Sequence, residues 1–280
     1  MQKAYKKYFP IFVLPTLLAF TLFFIIPFIM GIVLSFCKFT TVTNASFVGL
    51  DNYIRAFSNK DFLNALWFTV KFTVVSVITV NVFAFLLAYA LTRGIKGTNL
   101  FRTTFFMPNL IGGIVLGYIW QLLINGVLAR FGVTIVSDAK YGFWGLVILM
   151  NWQLIGYMMI IYIAGIQNIS TDVLEAAKID GATKFQTLTR VTIPMVMSSV
   201  TICLFLTLTN SFKLFDQNLA LTAGGPAKKT AMLALDIYTT FYNRNGWEGV
   251  GQAKAVIFFI LVGILALSQL YFTRSKEVES

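Results

Sequence analysis

Charged residues are scarce in this chain of 280 residues, of which 12% are charged and 58% are hydrophobic. An average soluble domain carries about 25% charged and about 45–50% apolar residues. If the chain folded as a soluble domain, its few charged side chains could not cover the surface, and large apolar patches would face water. The composition therefore excludes an ordinary soluble protein and predicts an integral membrane protein.

Histidine is absent, and the only cysteines are Cys37 and Cys203. The lack of histidine excludes a histidine-based catalytic triad, a histidine-ligated metal and a histidine proton shuttle. The two cysteines are far apart in the sequence and lie inside apolar runs, so they indicate neither a disulfide framework nor a CxxC site. We interpret them as small core residues, and we expect no metal site and no catalytic residue in this chain.

Long apolar runs are abundant. A spanning helix needs about 20 mostly apolar residues, because the hydrocarbon core is about 30 Å thick and the helix rises about 1.5 Å per residue. Six segments meet this requirement, at about residues 9–36, 65–91, 104–124, 143–166, 195–215 and 255–272. The sequence predicts an all-α membrane protein with six transmembrane helices, forming a single domain over residues 1–280. Pro15 and Pro27 in the first span predict kinks or a broken helix.

The charge distribution predicts the orientation. The net charge is +11, and in so apolar a chain we attribute the basic loops to anionic membrane lipid rather than to nucleic acid. With both termini inside, the inner segments hold eleven Lys or Arg residues and the outer segments eight. The short connection 93–104 carries three bases and no acid. The positive-inside rule therefore predicts a multi-pass protein with both termini cytoplasmic.

A cytoplasmic hairpin is predicted at residues 170–194, between the fourth and fifth spans. Ser170, Thr171 and Asp172 offer N-caps for a first helix that runs to Ile179. Gly181 then follows where a left-handed C-cap forms most easily. A second helix begins at the capping-box pair of Thr183 and Gln186 and continues to Pro194.

This hairpin contains a spaced motif. Glu175-Ala176-Ala177 is followed after three residues by Gly181 and, after nine more, by Val191-Thr192-Ile193-Pro194. The pattern resembles the EAA motif of ABC importer permeases, which ends in Ile-x-Leu-Pro, with Val191 for Ile and Ile193 for Leu. The runs 47–53, FVGLDNY, and 221–226, LTAGGP, resemble the carbohydrate branch, which includes maltose and glycerol-phosphate permeases. The resemblance covers nearly the whole chain.

The resemblance implies a type I ABC importer permease fold, in which the hairpin is the coupling helix that docks on a separate ATPase. The residues it assigns to ATPase coupling are Glu175, Ala176, Ala177, Asp180, Gly181 and Pro194. Glu175 would pair with a basic residue of the ATPase, the two alanines would allow close approach, and Gly181 would make the turn. Without the motif, the same segment would read as a cytosolic hairpin that only stabilises the bundle.

The chain has no GxxxxGK[ST] loop, so it is not an ATPase. The resemblance implies that ATP and Mg²⁺ bind a dimer of cytoplasmic ATPase subunits and that this chain binds no cofactor. It also implies a second permease subunit, as a paralogous heterodimer, and an external sugar-binding protein in a prokaryotic cell membrane. Gly224, Gly225 and Pro226 would face that binding protein. A helix is predicted at 230–242 in the same loop, which could instead be a surface lid without a partner.

The substrate pathway is predicted from polar and aromatic residues near membrane depth. Sugars present apolar faces and hydroxyl rims, which suit aromatic rings beside amides. The candidate pathway residues are Asn151, Trp152, Tyr157, Asn210, Trp120 and Gln121. Each of them could instead be an interfacial anchor or a helix–helix hydrogen bond. Lys213 and Asp216, at i and i+3, are expected to pair with each other.

Three other interpretations stay open at this stage. The first is an ABC permease for a non-sugar solute such as glycerol phosphate, a polyamine or an amino acid. The second is an intramembrane enzyme, which the lack of histidine and of paired acids at membrane depth disfavours. The third is a six-span channel, which would not require a docking hairpin. The favoured function is translocation of a sugar or oligosaccharide by a permease subunit of an ATP-driven importer.

Overall fold

The computed structural model describes residues 2–275, which are almost entirely helical. In chain order the α-helices are α1 (Gln2–Phe20), α2 (Ile26–Ser35), α3 (Asp51–Phe57), α4 (Lys60–Leu91), α5 (Thr98–Phe106), α6 (Gly113–Leu128), α7 (Ala139–Gln167), α8 (Thr171–Ile179), α9 (Lys184–Thr187), α10 (Ile193–Met195), α11 (Met197–Phe212), α12 (Asp216–Leu221), α13 (Leu233–Asn243) and α14 (Glu248–Arg274). Two short antiparallel strands, β1 (Cys37–Lys38) and β2 (Ser46–Phe47), pair between α2 and α3.

Five helical segments of the described chain are long and apolar enough to cross a membrane: Ile11–Ser35, Lys60–Leu91, Gly113–Phe131, Ala139–Gln167 and Glu248–Arg274. A sixth is obtained when Lys184–Met195 and Met197–Phe212 are taken as one span bent by 69°. The six predicted spans therefore correspond to these segments. The observed helices of the second, fourth and sixth spans begin earlier than predicted, at Lys60, Ala139 and Glu248.

The first span is continuous where prolines predicted a kink or a break. A π-helical turn, Thr21–Ile25, joins α1 to α2, and the flanking residues Phe20 and Ile26 keep right-handed helical dihedrals. Pro27 lies in the first turn of α2, where a missing N–H costs least. The wider turn thus absorbs the proline without breaking the helix.

The third span begins later than predicted, and the part of the fifth after its bend is shorter than predicted. The third was expected from Thr104, but α5 ends at Phe106, a 3₁₀ turn covers Met107–Leu110, and α6 begins only at Gly113. Pro108 and the glycine pair at 112–113 explain this break, because proline lacks a donor and glycine disfavours the helix. The fifth was expected at 195–215, but its helix, α11, covers Met197–Phe212.

The contacts group the described residues into two compact units. The first consists of residues 2–60 with 237–259. Its Asn52 side chain donates to the carbonyls of Ser35 (2.9 Å) and Cys37 (2.8 Å), which fixes α3 against the end of α2. Most apolar side chains of the first span, Ile11–Ser35, are exposed, with Phe23 of its π turn at 82%, as expected for a helix that faces lipid. The single-domain interpretation stays a prediction.

The second unit consists of residues 61–236 with 260–275 of the described chain. Its apolar core is formed by α4, α6, α7 and α11, around Phe72, Leu146 and Met158. One polar network crosses this core: the Tyr162 hydroxyl donates to Asn81 Oδ1 (2.8 Å), and Asn81 Nδ2 donates to Thr207 Oγ1 (3.3 Å). Because buried polar groups need partners, this network joins α4, α7 and α11 in one register.

Candidate functional site

The predicted hairpin forms between α7 and α11. The Ser170 hydroxyl accepts from the backbone N–H of Asp172 (3.3 Å) and caps α8. At the other end the N–H of Ala182 donates to the Ala177 carbonyl, and the N–H of Gly181 donates to the Lys178 carbonyl, both at 3.0 Å. With Gly181 at φ +76°, this is a complete Schellman motif. The left-handed glycine turn predicted from sequence is confirmed.

The second helix of the hairpin begins as predicted. Thr183 Oγ1 accepts from the N–H of Gln186 (3.3 Å), and the Thr183 N–H donates to Gln186 Oε1 (2.8 Å), which completes the capping box. The helix continues from α9 through a π turn, Leu188–Thr192, into α10, which contains Pro194. It meets α11 at the 69° bend.

The exposed surface of the hairpin is suited to docking on another protein. Glu175, Ala176, Asp180 and Gly181 are exposed, while Ala177 is half-buried. Ile179 is 85% exposed and Phe185 is 73% exposed. The EAA motif did not assign these two apolar residues to docking, although exposed apolar groups beside a charged helix typically mark a protein contact. No measurement tests the individual coupling residues, so their roles stay predictions.

A cavity of about 450 Å³ lies in the second unit, where α7, α11 and α12 meet the turn before α6. It includes Tyr157 and Asn210 of the predicted pathway. The other polar side chains that line it are Asn109, Gln153, Lys213, Asp216 and Gln217. Amides and a phenol both donate and accept hydrogen bonds, so the lining suits a hydroxyl-rich solute.

Two of these polar side chains already bond each other: Gln217 Nε2 donates to Gln153 Oε1 (2.8 Å). In the described part of the chain, Lys213 and Asp216 form no ion pair with each other, so that expectation was wrong. The reason is geometric, because α11 ends at Phe212 and α12 begins at Asp216, which breaks the i, i+3 helical relation. Both charges line the cavity instead.

The remaining pathway candidates lie outside the lining of this cavity. Asn151 Nδ2 donates to Thr79 Oγ1 (2.9 Å), which links α7 to α4. Gln121 Nε2 donates to the Leu221 carbonyl (3.0 Å), the last residue of α12. Trp120 and Trp152 pack edge to face with centroids 5.6 Å apart. Their part in the substrate path stays a prediction.

The wall that carries Asp216 and Gln217 is held by small residues. An ideal Cβ on Gly113 would lie 2.8 Å from Asp216 Cβ, and one on Gly117 would lie 2.6 Å from Ala220 Cβ. Both distances are shorter than real Cβ contacts, so α12 packs on α6 only because these positions are glycine. This is the small-xxx-small spacing of close helix pairs in membranes. The sequence did not predict Asn109 or Gln217, because Asn109 is a single polar residue inside the predicted third span, 104–124, and Gln217 lies just after the fifth, 195–215.

The loop after α12 is ordered by the buried side chain of Asn218. Its Nδ2 donates to the Thr230 carbonyl (2.8 Å), and its Oδ1 accepts from the Met232 N–H (2.9 Å). Lys228 pairs with Asp61 at 2.9 Å. The loop therefore presents Gly224, Gly225 and Pro226 in a fixed arrangement. The helix predicted at 230–242 is observed as α13, Leu233–Asn243.

Several apolar spans, an exposed helical hairpin and a cavity with polar lining are typical of a multi-pass transport subunit of the permease class. Residues 82–277 match the family described as "Binding-protein-dependent transport system inner membrane component". The chain belongs to this family. It is thus a transport subunit of a binding-protein-dependent system in the inner membrane, and neither a channel nor an enzyme.

Individual relatives agree with this assignment. The chain is 43% identical, over 96% of its length and 94% of the relative's, to the "Probable starch degradation products transport system permease protein AmyD" of Thermoanaerobacterium thermosulfurigenes. It is 30% identical, over 99% of both chains, to the "Multiple sugar-binding transport system permease protein MsmF" of Streptococcus mutans. The resemblance to the carbohydrate branch of permeases is confirmed.

The fold also matches a solved structure. A chain of a bacterial ABC transporter "involved in the import of the acidic polysaccharide alginate" superposes with a TM-score of 0.81 over 98% of both chains, at 19% identity. At this identity the match describes the fold alone. The type I importer permease fold predicted from the EAA motif is therefore confirmed.

Proposed function

We propose that this chain is one of two permease subunits of an ATP-driven importer that translocates an oligosaccharide of glucose. The observation that carries the proposal is the cavity of about 450 Å³, with Tyr157 and Asn210 in its lining. Relatives that are 43% and 30% identical are named for the transport of starch degradation products and of multiple sugars. A cavity of this size falls in the range of small-molecule sites, about 300–1,000 Å³.

The chemistry of the lining favours a neutral, hydroxyl-rich solute. Asn109, Gln153, Asn210 and Gln217 supply amide groups that donate and accept, and Tyr157 supplies an aromatic face and a hydroxyl. The Gln153–Gln217 hydrogen bond pairs two of these amides when no solute is present. A passing sugar can replace this bond with its own hydroxyl groups, so entry need not leave these two amides unpaired.

Lys213 supports a second candidate substrate, an anionic solute such as glycerol phosphate. Its ammonium group lines the same cavity and has no ion pair with Asp216 in the described residues. Asp216 would equally attract a cation such as a polyamine, and the two charges together would suit an amino acid. Opposite charges in one lining cancel in net charge, which is why the neutral sugar is favoured.

The hairpin of α8 to α10 is proposed to couple this path to ATP hydrolysis on a dimer of cytoplasmic ATPase subunits. Glu175 and Asp180 would meet basic residues of the ATPase, and Ile179 and Phe185 would fill its groove. ATP and Mg²⁺ would bind that partner and not this chain. Closure of the ATPases would then move the hairpin as a rigid body, and the spans would alternate between inward-open and outward-open states.

The proposed orientation places both termini and the hairpin in the cytoplasm. It is supported by the excess of basic residues on that side. The loop with Gly224, Gly225 and Pro226 would then lie outside, where an external sugar-binding protein delivers the solute. A paralogous second permease subunit would complete the path, because one chain supplies only one wall of it.

The test is uptake in cells that express this chain with the permease, ATPase and binding protein encoded beside it. We expect labelled maltotriose to be taken up, and unlabelled maltooligosaccharides but not glycerol 3-phosphate to compete. Asn210→Ala and Tyr157→Ala should each lower uptake about threefold to tenfold, the value of one lost hydrogen bond. Tyr118→Ala is the matched control, because Tyr118 is an exposed tyrosine of α6 outside the cavity. If glycerol 3-phosphate competes and maltooligosaccharides do not, the transported solute is the anionic one and not the sugar.

A further inference from the structure

A second cavity, of about 540 Å³, lies at the base of the hairpin. It is bounded by the C-terminal ends of α4 and α7 and by the inner side of α8 and α9. The basic residues Arg93, Lys178 and Lys184 line it, and no acidic residue does. None of the three lines the cavity that contains Tyr157 and Asn210.

The three bases are available for a ligand. In the part of the chain that the structure describes, none of them forms an ion pair with a carboxylate. Arg93 is held in place by Tyr89, because its guanidinium lies 4.3 Å from the centre of the tyrosine ring and donates to the tyrosine hydroxyl. Three positive charges, from the turn after α4 and from α8 and α9, line one cavity that has no acidic residue in its lining, although unpaired like charges repel. An anion would remove that repulsion.

The rest of the lining limits the kind of anion. The hydroxyls of Thr92 and Thr187 also line the cavity. They donate to the carbonyls of Tyr89 (3.0 Å) and Thr183 (3.1 Å), and each would have to rotate to donate to a phosphate oxygen. Ile166, Ile169 and Leu174 add an apolar wall. The cavity also lies where α4 and α7 end, and therefore at the level of the membrane surface. Cations and hydroxyls beside apolar residues fit an organic phosphate better than a small inorganic anion.

We infer that this cavity, defined by Arg93, Lys178 and Lys184, binds the phosphate group of an anionic ligand, either a phospholipid headgroup or a soluble organic phosphate. Basic pockets between transmembrane helices at the membrane surface bind such headgroups in other proteins. A phosphate held here contacts α4 on one side and both hairpin helices on the other. It therefore sets the position of the hairpin relative to the spans. The inference does not depend on which solute is transported.

The lipid source is tested by native mass spectrometry of the full chain. The chain is released from nanodiscs of phosphatidylcholine alone or of phosphatidylcholine and phosphatidylglycerol in equal parts. We expect one phosphatidylglycerol to be retained by the wild type. The variant Arg93→Gln/Lys178→Gln/Lys184→Gln should lose it, with affinity lowered about tenfold or more, since a hydrogen bond to a charged group contributes about 1.5–3 kcal/mol.

The matched control is Lys96→Gln/Arg190→Gln/Arg274→Gln, which removes the same charge from exposed residues outside the cavity. It should retain the lipid as the wild type does. Equal loss in both variants would show that the overall positive charge attracts the lipid, and would overturn the inference. Elution at the wild-type position in size-exclusion chromatography shows that each variant is folded.

The soluble source is tested with sodium pyrophosphate in detergent that lacks anionic lipid. We expect pyrophosphate to raise the melting temperature of the wild type and of the control variant, relative to sodium chloride of equal ionic strength. The cavity variant should show no such rise. If the wild type retains the lipid and pyrophosphate displaces it, the ligand is the lipid headgroup. If the wild type binds pyrophosphate but retains no lipid, the ligand is a soluble phosphate. If the wild type binds neither probe, the inference is wrong.

Discussion

Gly156→Ala should destabilise this protein more than alanine at Gly113 or Gly117, because its added Cβ would meet the closest atoms. Gly156 lies where α5 crosses α7, and an ideal Cβ there would lie 1.8 Å from the Phe105 carbonyl oxygen and 2.2 Å from its carbon. Ordinary van der Waals contact begins at 3.4 Å, so the two helices would have to separate by about 1.6 Å. The obstructing atoms belong to the backbone, which cannot rotate away as a side chain can.

The expected cost follows from this geometry. Overpacking a core costs about 1–3 kcal/mol, and a backbone obstacle places Gly156→Ala near the upper end, at about 3 kcal/mol. In a domain of about 200 residues, each kcal/mol shifts the melting temperature by about 2–4 °C. We therefore expect a fall of about 6–12 °C in a thermal unfolding experiment on the detergent-solubilised chain. Uptake should fall as well, because the displaced segment carries Asn109 into the transport cavity.

Gly263→Ala is the matched control. Gly263 also lies inside a spanning helix, α14, but an ideal Cβ there has no atom within 4 Å. Alanine should then stabilise the helix by up to about 1 kcal/mol through its better propensity. If Gly156→Ala melts at or above the wild-type temperature, α5 and α7 do not pack as described. If both variants lower it equally, the loss is a general effect of replacing glycine.

Three further substitutions test the hairpin, the polar network and the outer loop. Gly181→Val should abolish uptake at unchanged membrane abundance. Gly181 has φ +76°, and an added Cβ would have no atom within 4 Å, so valine strains the turn but not the core. Normal uptake would disprove the coupling role. Tyr162→Phe should lower the free energy of unfolding by about 1–3 kcal/mol, measured by thermal unfolding, since Asn81 Oδ1 loses its donor. Wild-type stability would show that the network does not stabilise the fold. Lys228→Gln should change stability by less than about 1 kcal/mol, because the ion pair with Asp61 has side chains 44% and 36% exposed; a larger loss would mean that the pair organises the loop.

Apolar periodicity and local motifs predict much of this fold. The hairpin is the best example, because Ser170, Gly181 and the Thr183–Gln186 pair each act on neighbouring backbone groups. Interactions of this kind are complete within a few residues. They can be read from sequence before any tertiary structure is known.

The candidate site was harder to predict, since its residues meet only through tertiary packing. Asn109 and Gln217 are far apart in sequence, in the 3₁₀ turn before α6 and in the short helix α12, and no local pattern brings them together. The composition of the fourth span indicated Tyr157, but equally Asn151, whose amide bonds Thr79 of α4. Only the helix rotation separates the two, and long-range contacts determine that rotation.

The contact between α6 and α12 has a consequence for how this protein changes in evolution. Gly113, Gly117 and Ala220 let α12 approach α6 closely, and the hydrogen bond from Gln121 to the Leu221 carbonyl adds to this attachment. The side chains that face the cavity from that wall, Asp216 and Gln217, are also the ones that lie against Gly113, and Gln217 bonds Gln153 of α7. A substitution at either position therefore changes the packing of the wall as well as the surface that meets the solute. Selection for a new solute at these two positions is constrained by the packing of α12 on α6.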